Sequence, residues 1–320
     1  VITRDRIKKQ YESRQLASLS VPLKINLFKG YETTALSNTV ARLSTENALF
    51  TLDCIMLGDS LLTTHLGYET TVLRDTEAQS LFLRVFNDNL HEIRVTLDGL
   101  RRACFDPYLI ADMPFGSAAH VDSALLNAET MSRYGADVLK IETINSEVIN
   151  IVEELSASGY LVMGHVGYTP QAGGAKSRGT TMTDALEIFA QARRLRDAGA
   201  VALVLEGVST LVNECLSKPD PNGLPVYSIF SGRTPLTGLS VNVWDCVIKP
   251  NFAARFFPPS AILSAEEVPL HYTPEVIEQC LENLLRSILR GEWPIDRAHS
   301  MSTNEIASLK EFQPWKPVAR

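Results

Sequence analysis

The sequence predicts a (β/α)8 barrel followed by a C-terminal helical extension. Two observations carry this. Short apolar runs alternate with amphipathic runs between residues 21 and 250, the rhythm of parallel strands joined by helices. Ionisable side chains recur where those apolar runs end: Asp59, Asp112, the pair Lys140 and Glu142, His165, and Glu206. A barrel gathers its chemistry in this way, because all its strand C-termini converge on one face. Each acidic residue alone reads equally well as a helix N-cap; their repetition in order is what favours the barrel.

The elements follow in sequence. Residues 21–31 read as a first strand in which Leu23, Ile25 and Leu27 alternate and Gly30 ends the run. Residues 33–45 read as a helix, with Leu36, Val40 and Leu43 on one face. Residues 49–57 are apolar apart from Thr51 and Asp53, as suits a parallel strand covered on both sides. Two helical segments, 77–90 and 95–104, then stand where one is needed, which predicts an insertion near 73–93. The third strand is 108–112, and 123–134 is a helix closed by Gly135. Strands 138–141 and 161–164 flank a helix over 145–158. The glycine-rich connection 167–180 carries Gln171, Lys176 and Arg178 but has neither P-loop nor dinucleotide spacing. It suits a mobile active-site loop or a plain surface loop. Residues 183–198 are a helix with its arginines late, where the helix dipole favours them. Residues 201–205 are the sixth strand, 210–216 a short helix, 225–230 the seventh strand and 241–248 the eighth. Beyond residue 250 the rhythm stops. Residues 273–289 form an amphipathic helix that needs a partner surface, and the tail from His299 reads as weakly ordered.

Length and composition set limits. A chain of 320 residues with net charge −7 and no basic block gives no reason to expect nucleic acid. No apolar run reaches the roughly 18 residues of a membrane span. Five isolated cysteines, none in a CxxC pair, argue against a structural zinc site and fit buried thiols in a reducing compartment. Residues 1–20 are basic and begin at Val1; they fit a remnant of an organelle-targeting region or a loose arm. The expected compartment is the cytoplasm or the mitochondrial matrix. The expected organisation is an arm at 1–20, the barrel at 21–250, and a helical extension with tail at 251–320.

On one barrel face, Asp59, Asp112 and Glu142 would supply hard oxygen ligands for Mg²⁺. Three carboxylates in a cleft otherwise repel one another and raise one another's pKa. A metal beside Lys140 suits a small 2-oxo acid, whose carbonyl it polarises and whose enolate it stabilises. Glu206 is placed to remove the proton, Ser60 to donate a hydrogen bond to substrate, and His165 to orient a ligand or move a proton. Lys140 and Glu142, two apart on a strand, point to the same side. A structural ion pair and a satisfied histidine are the plainer alternatives for these last groups.

These motifs have a known parallel. Gly58-Asp59-Ser60, Ala111-Asp112-Met113-Pro114-Phe115, Lys140-Ile141-Glu142, residues 164–171 (GHVGYTPQ) and Leu205-Glu206 resemble the successive motifs of the ketopantoate hydroxymethyltransferase family. Val241-Asn242-Val243-Trp244-Asp245 is similar to its last strand, and Gly291-Glu292-Trp293-Pro294 with His299-Ser300 to its C-terminal end. The resemblance implies a barrel of the phosphoenolpyruvate mutase/isocitrate lyase type. It implies Mg²⁺ on Asp59 and Asp112 with Glu142 nearby, the oxo acid on Ser60 and Lys140, Glu206 as base and His165 in support. The implied reaction moves a hydroxymethyl unit from 5,10-methylenetetrahydrofolate to 3-methyl-2-oxobutanoate, giving 2-dehydropantoate for pantothenate synthesis, in a homo-oligomer.

The departures are equally specific. Where the family has Gly-Ile-Gly-Ala-Gly, this chain reads Ser228-Ile229-Phe230-Ser231-Gly232, and Thr237-Gly238-Leu239-Ser240 stands in place of an Asp-Gly-Gln. Leu61-Leu62 and Thr143-Ile144 replace glycine-containing pairs. Two further readings therefore stand beside hydroxymethyl transfer. One is a divergent aldolase- or lyase-like enzyme acting without folate on another 2-oxo or β-dicarbonyl substrate. The other is a non-catalytic structural or regulatory homologue.

Overall fold

Eight parallel strands close on themselves: β1 Leu23–Leu27, β2 Cys54–Leu57, β3 Tyr108–Asp112, β4 Val138–Glu142, β5 Val162–Gly167, β6 Ala202–Glu206, β7 Val226–Ile229 and β8 Gly238–Asn242. Each pairs with the next, and β8 returns to β1 with Lys24 opposite Ser240 and Asn26 opposite Asn242. The computed structural model describes residues 2–15, 21–27, 29–46, 52–59, 76–101, 105–173, 177–249, 256–259, 261–264 and 266–316.

Strand alternation divides the core in two. Leu23, Ile25, Leu27, Ile55, Leu57, Leu109, Leu139, Leu203 and Leu205 point outward into the layer under the helices. Cys54, Met56, Tyr108, Ile110, Val138, Met163, Ala202, Val204, Tyr227 and Ile229 fill the barrel interior. The interior is apolar toward the strand N-termini. Toward the C-termini it becomes polar, through Asp112, Lys140, Glu142, His165 and Glu206.

The helices around the barrel are α2 Gly30–Glu46, α3 Thr76–Leu100, α4 Val121–Arg133, α5 Glu147–Ala157, α6 Met182–Asp197, α7 Thr210–Ser217 and the short α8 Val243–Val247. One expectation is corrected here: the two helical segments at 77–90 and 95–104 are one helix, α3, up to Leu100, and residues 102–104 lie outside the described residues. Its buried face, Phe82, Phe86, Leu90, Ile93 and Leu97, keeps one helical period throughout. The eighth strand also lies earlier than expected. Residues 238–242 pair with β1 and β7, and residues 243–247, expected as strand, are helical.

The N-terminal arm is not loose where it is described. Helix α1 (Arg4–Gln15) crosses the N-terminal mouth of the barrel. Ile7 and Tyr11 are buried against the interior cluster. The Tyr11 hydroxyl donates to the Val226 carbonyl at 2.8 Å and accepts from the Gly238 amide at 3.0 Å. Gln10 donates to Asp53 Oδ1 at 2.9 Å. A helix of such low amphipathicity offers little signal in sequence; two side chains each contributing about 1.5–3 kcal/mol of burial are enough to dock it.

The extension holds α9 (Val268–His271), α10 (Pro274–Arg290) and α11 (Thr303–Glu311). The partner surface that α10 needs is in the same chain. It packs on α2, with Arg42–Glu278 and Arg286–Glu46 ion pairs at 2.7 and 2.6 Å along the seam. The tail expected to be weakly ordered is anchored. Trp315 is buried and donates to the Leu216 carbonyl at 3.1 Å, and Phe312 stacks on Phe189.

Candidate active site

Each predicted polar residue that is described reaches a single small cavity or its edge. Asp112 ends β3 opposite Lys140 of β4, and Glu142 pairs in register with His165 of β5. Asp59 follows β2 directly, and Glu206 ends β6. Ser60 lies outside the described residues. The cavity measures about 50 Å³ and is lined by Asp112, Lys140, Glu142, His165 and Glu206 on one side. Lys24, Asn26, Ser240 and Asn242 line the other. Larger clefts of about 400 and 470 Å³ lie at the other end of the barrel, beside α1 and the 219–225 segment, away from this polar cluster.

Asp59, Asp112 and Glu142 are buried, and one carboxylate oxygen from each lies within 4.8 Å of the others. Lys140 Nζ bridges Asp112 Oδ1 at 2.8 Å and Glu142 Oε1 at 3.1 Å. One ammonium against three carboxylates leaves a negative excess in a low-dielectric pocket. Burial, then Asp112 and Glu142, drive the Asp59 carboxyl well above the ordinary carboxylate range. Burial also raises Glu142, with Lys140 opposing. Oδ1 of Asp59 is buried and has no hydrogen-bond partner among the described residues. An orphaned acceptor among crowded carboxylates fits a divalent cation, and oxygen-only donors suit Mg²⁺. Asp59, Asp112 and Glu142 would hold it.

The other groups complete the electrostatics. Burial works against the Lys140 ammonium, but Asp112, Glu142 and Asp59 outweigh it, so Lys140 stays charged across the whole working pH range. His165 sits between two carboxylates, Nδ1 3.7 Å from Glu142 Oε1 and Nε2 3.4 Å from Glu206 Oε2. Burial and the nearby lysines still hold its pKa well below the usual histidine range, so it is neutral. Glu206 is the most open of the set, its side chain 15% exposed. Burial, then repulsion by Glu142, lifts its carboxyl to about 8. Its neighbour in register at the end of β5 is Gly167, at φ +96°. A Cβ there would lie 2.3 Å from the Glu206 carbonyl oxygen.

Sequence reasoning assigns no role to several residues of the site. Gln171 closes it from the glycine-rich connection: its amide side chain donates to Asp59 Oδ2 at 2.9 Å and to the Met113 carbonyl at 3.0 Å, and its backbone N–H donates to Glu142 Oε2 at 2.9 Å. Lys176 lies outside the described residues, and Arg178 is committed to Asp184 at 2.7 Å. Lys24 and Asn26 are missed as well. A signal for them exists, because they are the complement of the alternating Leu23, Ile25 and Leu27, so they must face the interior.

The sequence model of the ketopantoate hydroxymethyltransferase family matches residues 29–235. The chain is 34% identical over 238 residues to the 3-methyl-2-oxobutanoate hydroxymethyltransferase of Thermus thermophilus, covering 71% of this chain and 83% of the relative. It is 31% identical over 258 residues to that of Thermotoga maritima, covering 78% and 84%. This chain belongs to the ketopantoate hydroxymethyltransferase family. Among solved structures it is similar to 2,3-dimethylmalate lyase, with a TM-score of 0.46 at 14% identity over 97% of this chain and 95% of that one. Family and acidic triad together mark the chain as a metal-dependent enzyme. Among the described residues no helix is long and apolar enough to cross a membrane.

The family position that departs most is Phe230. It adopts φ 51°, a left-handed conformation that suits glycine and costs a non-glycine residue roughly 1–2 kcal/mol. Its ring packs on Phe257 at 5.0 Å between centroids, and its carbonyl accepts from Arg297 Nη1 at 2.6 Å. Phe230 thus holds a backbone conformation that suits glycine, while its ring and that of Phe257 pack together beyond the end of β7.

Proposed function

We infer that this enzyme makes or breaks a carbon–carbon bond next to the carbonyl of a small 2-oxo acid, through an enolate, with a divalent cation. The triad of Asp59, Asp112 and Glu142 carries this reading, with a base on the far side of His165. The cation, when held there, supplies positive charge beside the carbonyl. Lys140, permanently charged, binds the anionic end of the substrate. Glu206 takes a proton from the carbon next to the carbonyl, and the electron pair left behind spreads onto the carbonyl oxygen. That carbon then bonds to an electrophilic carbon, or in the reverse direction such a bond breaks and Glu206 returns the proton. Neutral His165 holds Glu206 and Glu142 apart without adding a charge. Ser60 would donate to the oxo acid.

Hydroxymethyl transfer from 5,10-methylenetetrahydrofolate to 3-methyl-2-oxobutanoate is the narrower form of this chemistry, supported by the names of the relatives. Phe230 favours the other form, an aldolase- or lyase-like reaction without folate, because it follows the cavity-lining Ile229 at a position where the resembling family has glycine, with Phe257 packed on its ring. Homo-oligomeric assembly belongs to the same reading. The test is hydrogen exchange at C3 of 3-methyl-2-oxobutanoate in D₂O with Mg²⁺, followed by NMR, then addition of methylenetetrahydrofolate. Exchange without new product supports the folate-free reading; 2-dehydropantoate would replace it with hydroxymethyl transfer. No metal-dependent exchange of this or any other 2-oxo acid tried would defeat enolate chemistry here.

A further inference from the structure

One wall of the cavity has no part in the chemistry above. Lys24 is fully buried on β1, and its Nζ faces two neutral oxygens, Asn26 Oδ1 at 2.5 Å and Ser240 Oγ at 3.2 Å. Among the described residues no carboxylate lies within ion-pair distance of it, whereas Lys140 has two. The neutral partners are themselves fixed. The Asn26 amide donates to Asn242 Oδ1 at 2.6 Å and to Ser240 Oγ at 3.3 Å, and the Asn242 amide donates to Asp245 Oδ2 at 2.7 Å. This relay turns the Asn26 carbonyl toward Lys24 and leaves Ser240 accepting from both neighbours. One ammonium proton and the Ser240 hydroxyl proton are then left to face the cavity. A buried ammonium without a counter-charge is costly, and burial accordingly lowers Lys24 to about 8, which still leaves it mostly charged at neutral pH.

We propose that Lys24 and Ser240 form a subsite for a second carboxylate, so that the substrate is a 2-oxo acid carrying a carboxylate at each end. The 2-oxo end lies against the β2–β4 wall with the triad, and the other end reaches the β1–β8 wall. Ser240 comes from the very segment that departs from the family pattern, and Phe230, next to the cavity-lining Ile229, packs against the interior cluster. A pocket reshaped toward a short diacid accounts for both changes. This proposal rests on the enolate reading of the site.

The experiment compares two unreactive analogues by calorimetry in the presence of Mg²⁺: malate, with two carboxylates, and 2-hydroxy-3-methylbutanoate, with one. The intact protein should bind malate at least tenfold more tightly. In Lys24→Met and Lys24→Gln that ratio should fall at least tenfold, and Ser240→Ala should lower it severalfold. A cooperative melt, raised by Mg²⁺, establishes that each variant is folded with its metal site in place. Equal affinities for the two analogues, or Lys24 variants that weaken both to the same extent, would overturn the second-carboxylate subsite. So would borohydride trapping of a 2-oxo acid on Lys24, which would make it a Schiff-base lysine. Metal-dependent exchange of 3-methyl-2-oxobutanoate without preference for malate would leave the enolate reading standing and sink only this subsite. Absence of exchange with every 2-oxo acid tried removes both.

Discussion

The side-chain amide of Gln171 donates to Oδ2 of Asp59 at 2.9 Å, and Oδ1 of the same carboxylate is buried with no partner among the described residues. One residue of a connecting segment thereby fixes which oxygen of Asp59 is engaged and which is left over for a ligand. Partners of this kind typically govern metal affinity by about 10–100-fold. Gln171→Ala should weaken Mg²⁺ or Mn²⁺ binding within that range, as read by calorimetry. Unchanged affinity would mean that Asp59 is oriented by its backbone alone.

Glu206 is raised to about 8 by burial and by Glu142. Its base form therefore grows as pH rises toward 8, and the hydrogen-exchange rate should rise with pH and then level off. A bound cation offsets the charge of Glu142, so the midpoint in the metal-loaded enzyme should fall below 8. Glu206→Gln should lose exchange by at least about 10²-fold while binding metal within a few-fold of the intact protein. Exchange that survives this change would transfer the base role elsewhere.

Asp53 gives a stability prediction away from the site. Burial raises its carboxyl from 3.8 to about 6, although Gln10, Arg14 and the Leu23 amide all favour the charged form. The folded state thus holds this proton more tightly than the unfolded chain does. Its contribution is fully present below about 4 and is lost as pH rises through about 6, roughly 3 kcal/mol in all. Urea titrations across that window should show the decline, and Asp53→Asn should flatten it. An identical slope in the variant would assign the pH dependence to other groups.

Tyr11→Phe isolates the docking of α1. It removes the acceptor of the Gly238 amide and the donor to the Val226 carbonyl, both at the closed end of the barrel. The Val226 carbonyl keeps the Thr237 hydroxyl at 3.2 Å, but leaving the buried Gly238 amide unsatisfied costs about 1–3 kcal/mol. The urea midpoint should drop accordingly with little change in its m-value. A larger fall in m would indicate that α1 detaches as a unit.

Strand rhythm and the order of polar strand ends are enough to read the barrel, its direction and most of the site from the chain. Such features are local: an apolar run long enough for a strand, with a charge where it ends, has few other uses. Asp112, Lys140, Glu142, His165 and Glu206 are legible for that reason. The boundary of β8 is not, because Val241-Asn242-Val243 suits strand or helix alike until β1 pairs with Val241 and Asn242 and leaves Val243 to start a helix. The docking of α1 depends on Ile7 and Tyr11 meeting residues as distant in sequence as Val226 and Gly238. Gln171 and Lys24 take no role from sequence either. What each does depends on which oxygen lies about three ångströms away, and only closure of the barrel brings Asp59 to one and Ser240 to the other. The chain by itself determined the fold class, the family and the stock of charges. The tertiary structure decided which of those charges are paired and which are left to meet a ligand, because pairing is set by distances that closure alone creates.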